Sequence, residues 1–395
     1  MDKTDSMKVV LVSFFYNETL TTEEELLRQH YTITGWAEAL QRKAAEVIVM
    51  SRFSRENSFE KNGVQYYFIK DRLGALLRWW HLPLKFLRKI KSLDADVVHL
   101  HNFTLSLLTF LLRLMLDKKT AIIIQHHGGR PPGKIKRFFH NLLNSVADGF
   151  FFTTIDQGKE WFMKKKRPRK IMPVMEGATF FNYEDRDAAR VIRYYDRNLA
   201  RKNTGITSFP VFLWVGRLDS NKDPGTVLDG FEILFEQYRE AGLYMIYNDD
   251  ALLNQVKKKV EGSEILRNKV HLLGKIAHEE IEQYYNSADY FVLGSHYEGS
   301  GYALSEALLC GCVPVVTNIP SFQMMTNGGQ LGALWDPGNK NSFIEALISA
   351  TNKSLKNEAN ACIDFFKQTL SFNAIAGIAL VHYRKAIDSR AYKKK

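Results

Sequence analysis

Five residues combine two carboxylates with three small side chains at a spacing that suits an anionic or hydroxylated ligand: Glu298, Gly299, Ser300, Gly301 and Glu306. The small residues leave backbone N–H groups uncovered where a predicted helix begins, and the dipole of that helix places its positive end there. The pattern therefore predicts a ligand site at the start of the helix.

Glu306 belongs to the helix predicted from Tyr302 to Cys310. It shares a stripe with Tyr302 and Leu309, at i, i+4 and i+7 spacing, among residues whose pattern indicates partial burial. A carboxylate in such a place needs hydrogen-bond donors, which neighbouring residues or a ligand can supply. The spacing alone fits a surface glutamate after a turn equally well.

A second group of charges lies in the loop 216–222, where Arg217 and Lys222 follow the strand predicted from Phe209 to Gly216. This is the carboxyl end of a parallel strand, the edge at which such sheets bind ligands. Two cations there, facing the amides of 299–301, would hold a diphosphate and stabilise its growing charge as it leaves. Alone, the pair would fit an incidental surface arrangement, and its coincidence with the first group is what predicts a site.

Histidines follow two predicted strands of the first half of the chain. His99 and His101 lie at the end of one strand, and His126 and His127 lie at the end of another, beside two glycines. Ligands bind at the carboxyl ends of parallel strands. A lone histidine there is usually structural, but the two glycines beside His126 and His127 make a ligand contact and a structural role fit these residues equally well. His99 falls within the strand pattern and is expected to be packed.

The elements that must position these residues alternate regularly in the second half. Asp223 and Pro224 give a helix start, with an N-cap side chain and proline at the first helical position. Strands alternating with helices imply a doubly wound α/β sheet. Predicted strands are 209–216, 243–247, 270–273, 290–294 and 313–317, and predicted helices are 224–239, 251–260, 278–286, 302–310, 341–350 and 374–388.

Predicted strands also recur along the first half of the chain. Residues 176–208 are polar and irregular, which indicates a linker between two domains. Leu73–Lys91 is helical in pattern, with Pro83 expected to kink it or to start a second helix. With Trp79 and Trp80 it could lie on an anionic membrane, or its leucines and one tryptophan could cover the domain's own sheet. Predicted strands are 8–13, 46–50, 64–69, 96–100, 121–125, 149–153 and 170–174, with a helix at 29–43.

Composition and charge bound the class of protein. The 395 residues, 45% hydrophobic and 25% charged, are typical of a globular chain with two domains. The net charge is +11, and basic residues cluster at 85–91, 134–137 and 164–170. All three clusters lie in the first half of the chain. This uneven distribution of charge is compatible with binding to nucleic acid, to an anionic membrane face or to a phosphorylated substrate, and also with a merely solvated surface. The segments 79–91 and 164–170 are expected to favour anionic vesicles.

Cysteine usage and the apolar runs indicate the compartment. The three cysteines, Cys310, Cys312 and Cys362, give no disulfide framework and have no accompanying histidine cluster, so no metal site is predicted. The first residues lack the apolar core of a signal peptide. The most apolar run, Phe103–Leu116, contains Arg113 and is too short to span a bilayer. We therefore expect a cytoplasmic protein, with peripheral association at the inner face of the membrane as a further expectation.

The two acids form part of a longer motif. Glu298 and Glu306, with seven residues between them, are followed by Gly311 and by Val313-Pro314-Val315-Val316. This arrangement resembles the E-x7-E signature of the family 4 retaining glycosyltransferases (glycosyl transferases group 1). The resemblance is continuous from about Phe209 to Ala350.

Further segments resemble the same family. Val215–Leu218 with Lys222 resembles its phosphate-binding loop, and Val270–Ile276 resembles the segment that borders the nucleotide base. In the first half the resemblance rests on Val97–His101 and Gln125–Gly128. It implies the GT-B architecture, in which two Rossmann-like domains face each other across a cleft.

The family resemblance implies a role for each part of the chain. Residues 1–205 would form an acceptor-binding domain, residues 206–370 would bind the nucleotide-sugar, and the helix within 371–395 would return to the first domain. Glu306 would bind the ribose hydroxyls, and Glu298 those of the donor sugar. The amides of Gly299, Ser300 and Gly301 would assist Glu298.

The remaining site residues are assigned in the same way. Arg217 and Lys222 would grip the diphosphate. Tyr302, Lys275 and Ile276 would lie beside the nucleotide, and His127, or less readily His126, would lie near the sugar and acceptor.

The implied activity is transfer of a hexose from a UDP- or GDP-sugar to a saccharide or lipid-linked acceptor hydroxyl, with retention of configuration and without a metal or other cofactor. A role in surface polysaccharide or glycolipid synthesis would follow. Many members have paired glycines where this chain has Phe14, Phe15, Tyr16 and Asn17. This departure suggests an aromatic lining for the acceptor, and it also motivates an alternative, a catalytically silent nucleotide-sugar-binding partner of another transferase. Nucleic-acid binding has only the basic clusters in its favour, since no nucleic-acid module is recognisable.

Overall fold

The computed structural model describes four stretches of the chain, residues 7–43, 45–162, 170–176 and 197–392. Two compact units are present: the first comprises Met1–Gly177 with Ser371–Lys395, and the second comprises Ala178–Leu370. Each unit is built on one largely parallel sheet with helices on it, which confirms the doubly wound α/β class.

The first sheet has the order β3-β4-β2-β1-β5-β6-β7-β8, from β1 (Met7–Ser13), β2 (Ala45–Arg52), β3 (Asn57–Lys61), β4 (Val64–Ile69), β5 (Val97–Leu100), β6 (Ala121–Gln125), β7 (Gly149–Phe152) and β8 (Ile171–Pro173). All its pairings are parallel except that of the edge strand β3 with β4. The central strands β1, β5, β6 and β7 contain no exposed residue. Burial on both faces explains why they are continuous apolar runs rather than alternating ones.

Helices cover the first sheet: α1 (Glu23–Gln29), α2 (Tyr31–Arg42), α3 (Leu84–Ser92), α4 (Ser106–Met115), α5 (Lys134–Leu143) and α6 (Ile155–Trp161). On one face, Phe86 of α3 and Leu108 of α4 share a core with Val98 and Leu100 of β5. Because alternate side chains of a strand point to opposite faces, His99 of the same strand points away from that core.

The second sheet has the order β11-β10-β9-β12-β13-β14, from β9 (Val211–Gly216), β10 (Gly242–Tyr247), β11 (Val270–Gly274), β12 (Tyr290–Leu293), β13 (Val313–Thr317) and β14 (Ala333–Trp335). All pairings are parallel. Its helices are α7 (Arg197–Thr204), α8 (Pro224–Gln237), α9 (Leu253–Gly262), α10 (Glu264–Lys269), α11 (His278–Ser287), α12 (Tyr302–Leu309), α13 (Pro320–Met325), α14 (Lys340–Thr351) and α15 (Leu355–Phe365).

The last helix, α16 (Phe372–Tyr392), belongs to the first unit. It packs on α2, on the face of the sheet opposite to α3 and α4. The hydroxyl of Tyr383 lies 2.7 Å from His99 Nδ1, and the rings of Tyr383 and Phe151 are stacked. The Phe372 ring lies against Gly35, where a β-carbon would collide with it. These contacts hold α16 on the sheet.

Each sheet reverses its strand order at one place. In the first sheet, β2 and β4 extend to one side of β1 and β5 begins the other side. In the second sheet, β10 and β11 extend to one side of β9, and β12 begins the other. In doubly wound folds, ligands bind outside the carboxyl ends of the strands at such a reversal. The loops after β9 and β12 are therefore the first place to look for a site.

An aspartate before a strand recurs as a structural device. Asp96, Asp148 and Asp289 directly precede β5, β7 and β12. Their carboxylates accept hydrogen bonds from the backbone amides of Lys8, Ile122 and Val211, respectively. In each case the bonded amide lies at the beginning of the neighbouring strand. The acid thus fixes the register of two adjacent parallel strands at their amino ends.

Asp289 is the most heavily bonded of the three. Its carboxylate oxygens lie 2.6 Å from both Arg197 Nη1 and Arg201 Nη2, and Val211 N lies 2.7 Å from Oδ2. The Asp289 side chain is 1% exposed. Helix α7 is therefore anchored to the second sheet. The sequence-based boundary at residue 205 cuts through this unit, whereas the structural division falls at 177 and 178.

Two predictions of local structure need correction. The pattern over Leu73–Lys91 predicts a helix, but α3 begins only at Leu84, directly after Pro83. Proline cannot donate to the preceding turn, so the helix starts there and is not kinked. Residues 176–208 are not irregular throughout, since α7 lies within them. Residues 177–196, and 164–169 of the third basic cluster, lie outside the described residues.

Candidate functional site

Lys222 and Glu298 meet at the reversal point of the second sheet. Lys222 ends the loop after β9, and Glu298 lies in the loop after β12. Their side chains, each 13% exposed, form an ion pair between Lys222 Nζ and Glu298 Oε1. The sequence places these residues in two separate motifs, and the structure brings them into direct contact.

Neighbouring side chains hold this pair in position. Ser295 Oγ donates to Glu298 Oε1 at 2.6 Å, so the carboxylate has a hydroxyl donor as well as the ammonium. The two loops are also tied to each other, because Asn221 Nδ2 donates to Tyr297 O at 2.9 Å and His296 N donates to Asn221 O at 2.8 Å. The Lys222–Glu298 geometry is thus a property of both loops together.

Gly294 shows how closely the loops approach. A β-carbon at this position would lie 2.9 Å from Asp223 O and 3.1 Å from Lys222 O. Asp223 is the N-cap of α8, with φ of 42°, and its side chain accepts a hydrogen bond from Thr226 N. This confirms the helix start predicted from Asp223 and Pro224. Glycine at 294 lets the backbone after β12 lie directly on the loop after β9.

The start of α12 is shaped by Gly301. Its φ is 64°, and a β-carbon there would lie 2.8 Å from the Phe322 ring, so both conformation and space require glycine. Ser300 is buried, and Tyr302, the first residue of α12, is 36% exposed. Gly299, Ser300 and Gly301 therefore lead from Glu298 directly to the positive end of the helix dipole.

Glu306 is buried, at 5% exposure, so its interpretation as a surface glutamate is wrong. It faces Tyr285 of α11: burial, followed by the charge of Glu306 and a hydrogen bond to it, raises the pKa of the Tyr285 hydroxyl well above its ordinary value. The Glu306 carboxylate therefore lies beside a neutral tyrosine hydroxyl.

Arg217 differs from Lys222 in its partner. Its guanidinium lies 3.0 Å from Asp219 Oδ2 within its own loop, and its side chain is 57% exposed. Lys275 and Ile276 follow β11, which is two strands away from β9 at the edge of the sheet. They share the carboxyl edge with the pair but lie to one side of the reversal point.

A histidine cluster lies at the carboxyl edge of the first sheet. His127 Nδ1 is 2.8 Å from Glu176 Oε1, and His127 Nε2 is 3.1 Å from His101 Nδ1. The Glu176 side chain is 4% exposed and that of His127 is 36% exposed. Burial acts to lower the pKa of His127, but the charge of Glu176 and its hydrogen bond outweigh burial, so the pKa is raised. Burial together with the neighbouring histidines lowers the pKa of His101 well below its ordinary value.

The electrostatics of this cluster favour a charge on His127. An imidazolium there can donate through Nδ1 to Glu176 and through Nε2 to neutral His101. Both ring nitrogens of His127 thus have protein partners. The ring presents its exposed carbon edge, rather than a free nitrogen, to anything that binds at this place.

His126 and His99 are packing residues. His126 is buried against Phe152 and Trp161, with ring centroids at 4.9 Å and 4.8 Å, and burial lowers its pKa to about 4. The suggestion that it contacts a ligand is therefore not supported by its position. Burial lowers the pKa of His99 to about 3, and its place in the interior confirms the prediction that it is packed.

The aromatic loop after β1 is partly interior. Phe14 is 1% exposed, and its ring lies 5.4 Å from that of Phe86. Arg52, also fully buried, donates to Phe14 O and pairs with Asp71. An acceptor lining built from this loop can include Phe15 and Tyr16, which are partly exposed, but not Phe14.

Sequence reasoning missed two residues that hold the charged groups. Ser295 lies only three residues before Glu298, so its proximity was a usable signal. Glu176 lies 49 positions after His127, and no local pattern links them. Among the described residues, no helix is long and apolar enough to cross a bilayer.

Comparison with known proteins identifies the family and the fold of the chain. Two family descriptions match the chain, Glycosyl transferases group 1 over residues 196–368 and Glycosyltransferase Family 4 over residues 30–159. The structure of Anabaena HepE in complex with UDP aligns with a TM-score of 0.69 at 13% identity, covering 96% of this chain and 100% of that one. The two doubly wound units define the GT-B fold class. The chain belongs to the family 4 glycosyltransferases.

Curated relatives match over part of their length. Mannosylfructose-phosphate synthase of Agrobacterium fabrum is 32% identical over 166 residues, which are 40% of this chain and 34% of the relative. The UDP-Gal:alpha-D-GlcNAc-diphosphoundecaprenol alpha-1,3-galactosyltransferase of Escherichia coli is 28% identical over 148 residues, which are 37% of this chain and 38% of the relative. The matches thus span little more than a third of these relatives.

Proposed function

We propose that the protein transfers a sugar from a UDP- or GDP-sugar to an acceptor hydroxyl, with retention of anomeric configuration. The observation that carries the proposal is the Lys222–Glu298 pair at the reversal point of the second sheet, beside the start of α12. An ammonium suits a diphosphate, a carboxylate suits sugar hydroxyls, and the two groups lie together here. The UDP in the HepE structure and the UDP-Gal in the name of the E. coli relative support a nucleotide-sugar donor.

Donor binding exchanges the partners of this pair. Lys222 leaves Glu298 for a diphosphate oxygen, and Glu298, still held by Ser295, accepts hydrogen bonds from the sugar. The amides of 299–301 at the helix start add donors for the diphosphate or the sugar. Glu306 binds the ribose.

The nucleotide takes the side of the sheet on which β10 and β11 lie. Lys275 and Ile276 border the base there, and Tyr302 lies at the start of α12. These roles follow from the family resemblance, and the placement of all three residues at or beside the carboxyl edge is compatible with them.

Arg217 joins the diphosphate by turning away from Asp219. The existing pair is solvent-exposed on the arginine side, and such surface pairs contribute only about 0–1 kcal/mol. A doubly charged diphosphate is a stronger partner. The guanidinium therefore moves at little energetic cost.

In the reaction, the bond between the anomeric carbon and the diphosphate oxygen breaks, and its electron pair leaves with the diphosphate. The acceptor oxygen bonds to the anomeric carbon on the same face, and its proton passes to a phosphate oxygen of the leaving group. Arg217 and Lys222 stabilise the charge that grows on the diphosphate. The proposal assigns this task to the two side chains and requires no metal or cofactor.

The first unit binds the acceptor, with His127 beside it. A lipid-linked acceptor is favoured because the E. coli relative is named for a diphosphoundecaprenol acceptor. Synthesis of a surface polysaccharide or glycolipid at the cytoplasmic face of a membrane is then the role. Trp79 and Trp80, which are 71% and 49% exposed, support association of the 79–91 segment with an anionic membrane surface.

Substitution of the two cations tests the proposal. Lys222→Ala and Arg217→Ala should each lower kcat by about 10² to 10³, the loss typical of one donor at a developing charge. Lys259→Ala is the matched control, since Lys259 forms an ion pair with Asp229 in the same unit but away from the carboxyl edge. Turnover would be measured with purified folded variants. Wild-type turnover in Lys222→Ala would defeat the assignment.

A panel of nucleotide-sugars, followed by thermal shift, identifies the donor, because a ligand that binds only the folded protein raises its Tm. The same panel distinguishes an active transferase from the alternative, a catalytically silent binding partner of another transferase. Such a partner would be stabilised by a nucleotide-sugar without transferring or hydrolysing it. Transfer or slow donor hydrolysis by the purified protein alone excludes that alternative.

A further inference from the structure

Helix α5 exposes its apolar face. Ile135, Phe138, Phe139 and Leu142 are 79%, 53%, 56% and 55% exposed. Their spacing of i, i+3, i+4 and i+7 places them on one side of the helix. In a surface helix of a globular protein this stripe normally faces the core. Here four large apolar side chains form a continuous outward face.

Polar contacts hold the opposite side of α5 on the first unit. His140 is the buried residue of the helix, and its Nδ1 lies 2.9 Å from Ser106 Oγ of α4. Asn141 Nδ2 donates to Trp161 O, and Arg137 Nη1 donates to Glu160 O. The orientation of α5 is therefore fixed by specific bonds, and the apolar face points outward as a consequence of them.

The chain segment that contains this face is basic. Between Asp117 and Asp148 the sequence contains six lysines and arginines and no acidic residue. Lys134 and Lys136 lie on α5 itself and are exposed. An apolar stripe of phenylalanine, leucine and isoleucine flanked by lysines is the pattern of a helix that lies in the surface of an anionic bilayer. An acidic protein groove is the competing partner.

A second exposed apolar cluster favours the bilayer. Trp79, Trp80, Leu82 and Leu84 are each more than 40% exposed and lie directly before or at the start of α3. Helices α3 and α5 both pack on α4, and each follows a parallel strand, so both begin at the carboxyl edge of the first sheet. An extended lipid surface can cover both clusters, whereas a protein groove fitted to one helix covers one.

We infer that the outward face of α5, formed by Ile135, Phe138, Phe139 and Leu142 with Lys134 and Lys136, docks on the surface of an anionic lipid bilayer. This inference adds a membrane contact of the first unit to the proposed function. The docking itself is argued from α5 and the neighbouring exposed apolar cluster, and only its biological purpose rests on the proposed function. Docking would bring the carboxyl edge of the first sheet to the surface at which a lipid-linked acceptor is presented.

Vesicle sedimentation tests the docking. The full chain should bind vesicles of phosphatidylcholine with phosphatidylglycerol more strongly than vesicles of phosphatidylcholine alone. Phe138→Asp/Phe139→Asp should weaken binding to the anionic vesicles at least about tenfold. Lys134→Ser and Lys136→Ser should each weaken it about fivefold, with no effect on neutral vesicles.

The matched control lies on the other face of the same unit. Ile378 and Val381 of α16 are 39% and 51% exposed, and Ile378→Asp/Val381→Asp makes the same change in charge. This control should bind like the wild type. Equal loss in both double variants, wild-type binding by the α5 variant, or capture of an acidic protein by the α5 face without any vesicle binding would each overturn the inference.

A labelled variant keeps the test independent of folding defects. The three native cysteines are buried, so Phe139→Cys can be labelled selectively with a polarity-sensitive fluorophore. Its emission should shift to the blue with anionic vesicles, and that of labelled Val381→Cys should not. Transfer to a water-soluble acceptor is measured in parallel. Vesicle binding without transfer would refute the proposed function and leave the docking intact, whereas transfer without vesicle binding would refute the docking alone.

Discussion

Replacing Asp289 should destabilise the second unit more than replacing any exposed acid of that unit. Its carboxylate is 1% exposed and is shared by Arg197, Arg201 and the amide of Val211, all within 2.7 Å. Removing the carboxylate leaves two guanidinium groups without their counter-charge at the amino ends of β9 and β12. Breaking a buried pair from one side costs about 3–5 kcal/mol.

This free-energy loss converts to a measurable change in Tm. For a unit of 150–250 residues, each kcal/mol corresponds to about 2–4 °C, so Asp289→Ala should lower the Tm of the second unit by about 6–20 °C. Differential scanning calorimetry gives the shift. Hydrogen exchange in peptides that cover β9 and β12 assigns the transition, because Asp289 joins these two strands.

Asp229→Ala provides the comparison. Asp229 also pairs with one cation, Lys259, but its side chain is 45% exposed. Exposed pairs contribute about 0–1 kcal/mol, so this variant should melt within about 4 °C of the wild type. If Asp289→Ala melts together with Asp229→Ala, the carboxylate does not anchor α7, and the division of the chain between residues 177 and 178 loses its physical basis.

Two further variants test the histidine cluster and the start of α12. Glu176→Gln should lower the pKa of His127, seen in the pH titration of its ring carbon resonances by NMR. Because the folded pKa is raised above its unfolded value near 6.5, the wild type gains stability that is fully present below that value and is lost as the pH rises through the folded pKa. Glu176→Gln should abolish this dependence, and an unchanged titration would show that Glu176 does not hold the charge. Gly301→Ala should lower the free energy of unfolding by more than about 1 kcal/mol, because of its φ of 64° and its approach to Phe322. Gly262→Ala, which meets no atom within 4 Å, is the control in the same denaturant titration, and equal stability of the two variants would contradict the argument.

The sheets could be predicted from the sequence because buried parallel strands are apolar runs between helices. The strand 313–317 is predicted to the residue, and 211–216 is predicted within two residues. Short elements such as β3 and β14 were missed, since a strand of three to five residues at a sheet edge carries little periodic signal. Helix α7 was missed because its burial depends on distant Asp289.

The site could be predicted in part. Strand ends and the E-x7-E spacing place Lys222 and Glu298 at one edge of a sheet, and the structure adds that they touch. No local pattern shows that Arg217 pairs with Asp219, because side-chain rotamers decide between partners. The exposed face of α5 was equally hidden, since its apolar periodicity is what a core-facing helix would also show.

The position of α16 has a consequence for how the chain folds during synthesis. When the ribosome has made residue 370, the whole second unit has been translated, but the surface around Trp36, His99 and Phe151 still lacks Tyr383 and its helix. The face of the first sheet that α16 covers therefore stays partly exposed until the second unit, which lies between the two segments of the first unit, has been synthesised. Truncation just before residue 371 would remove no part of the second unit and would still leave the first unit without α16.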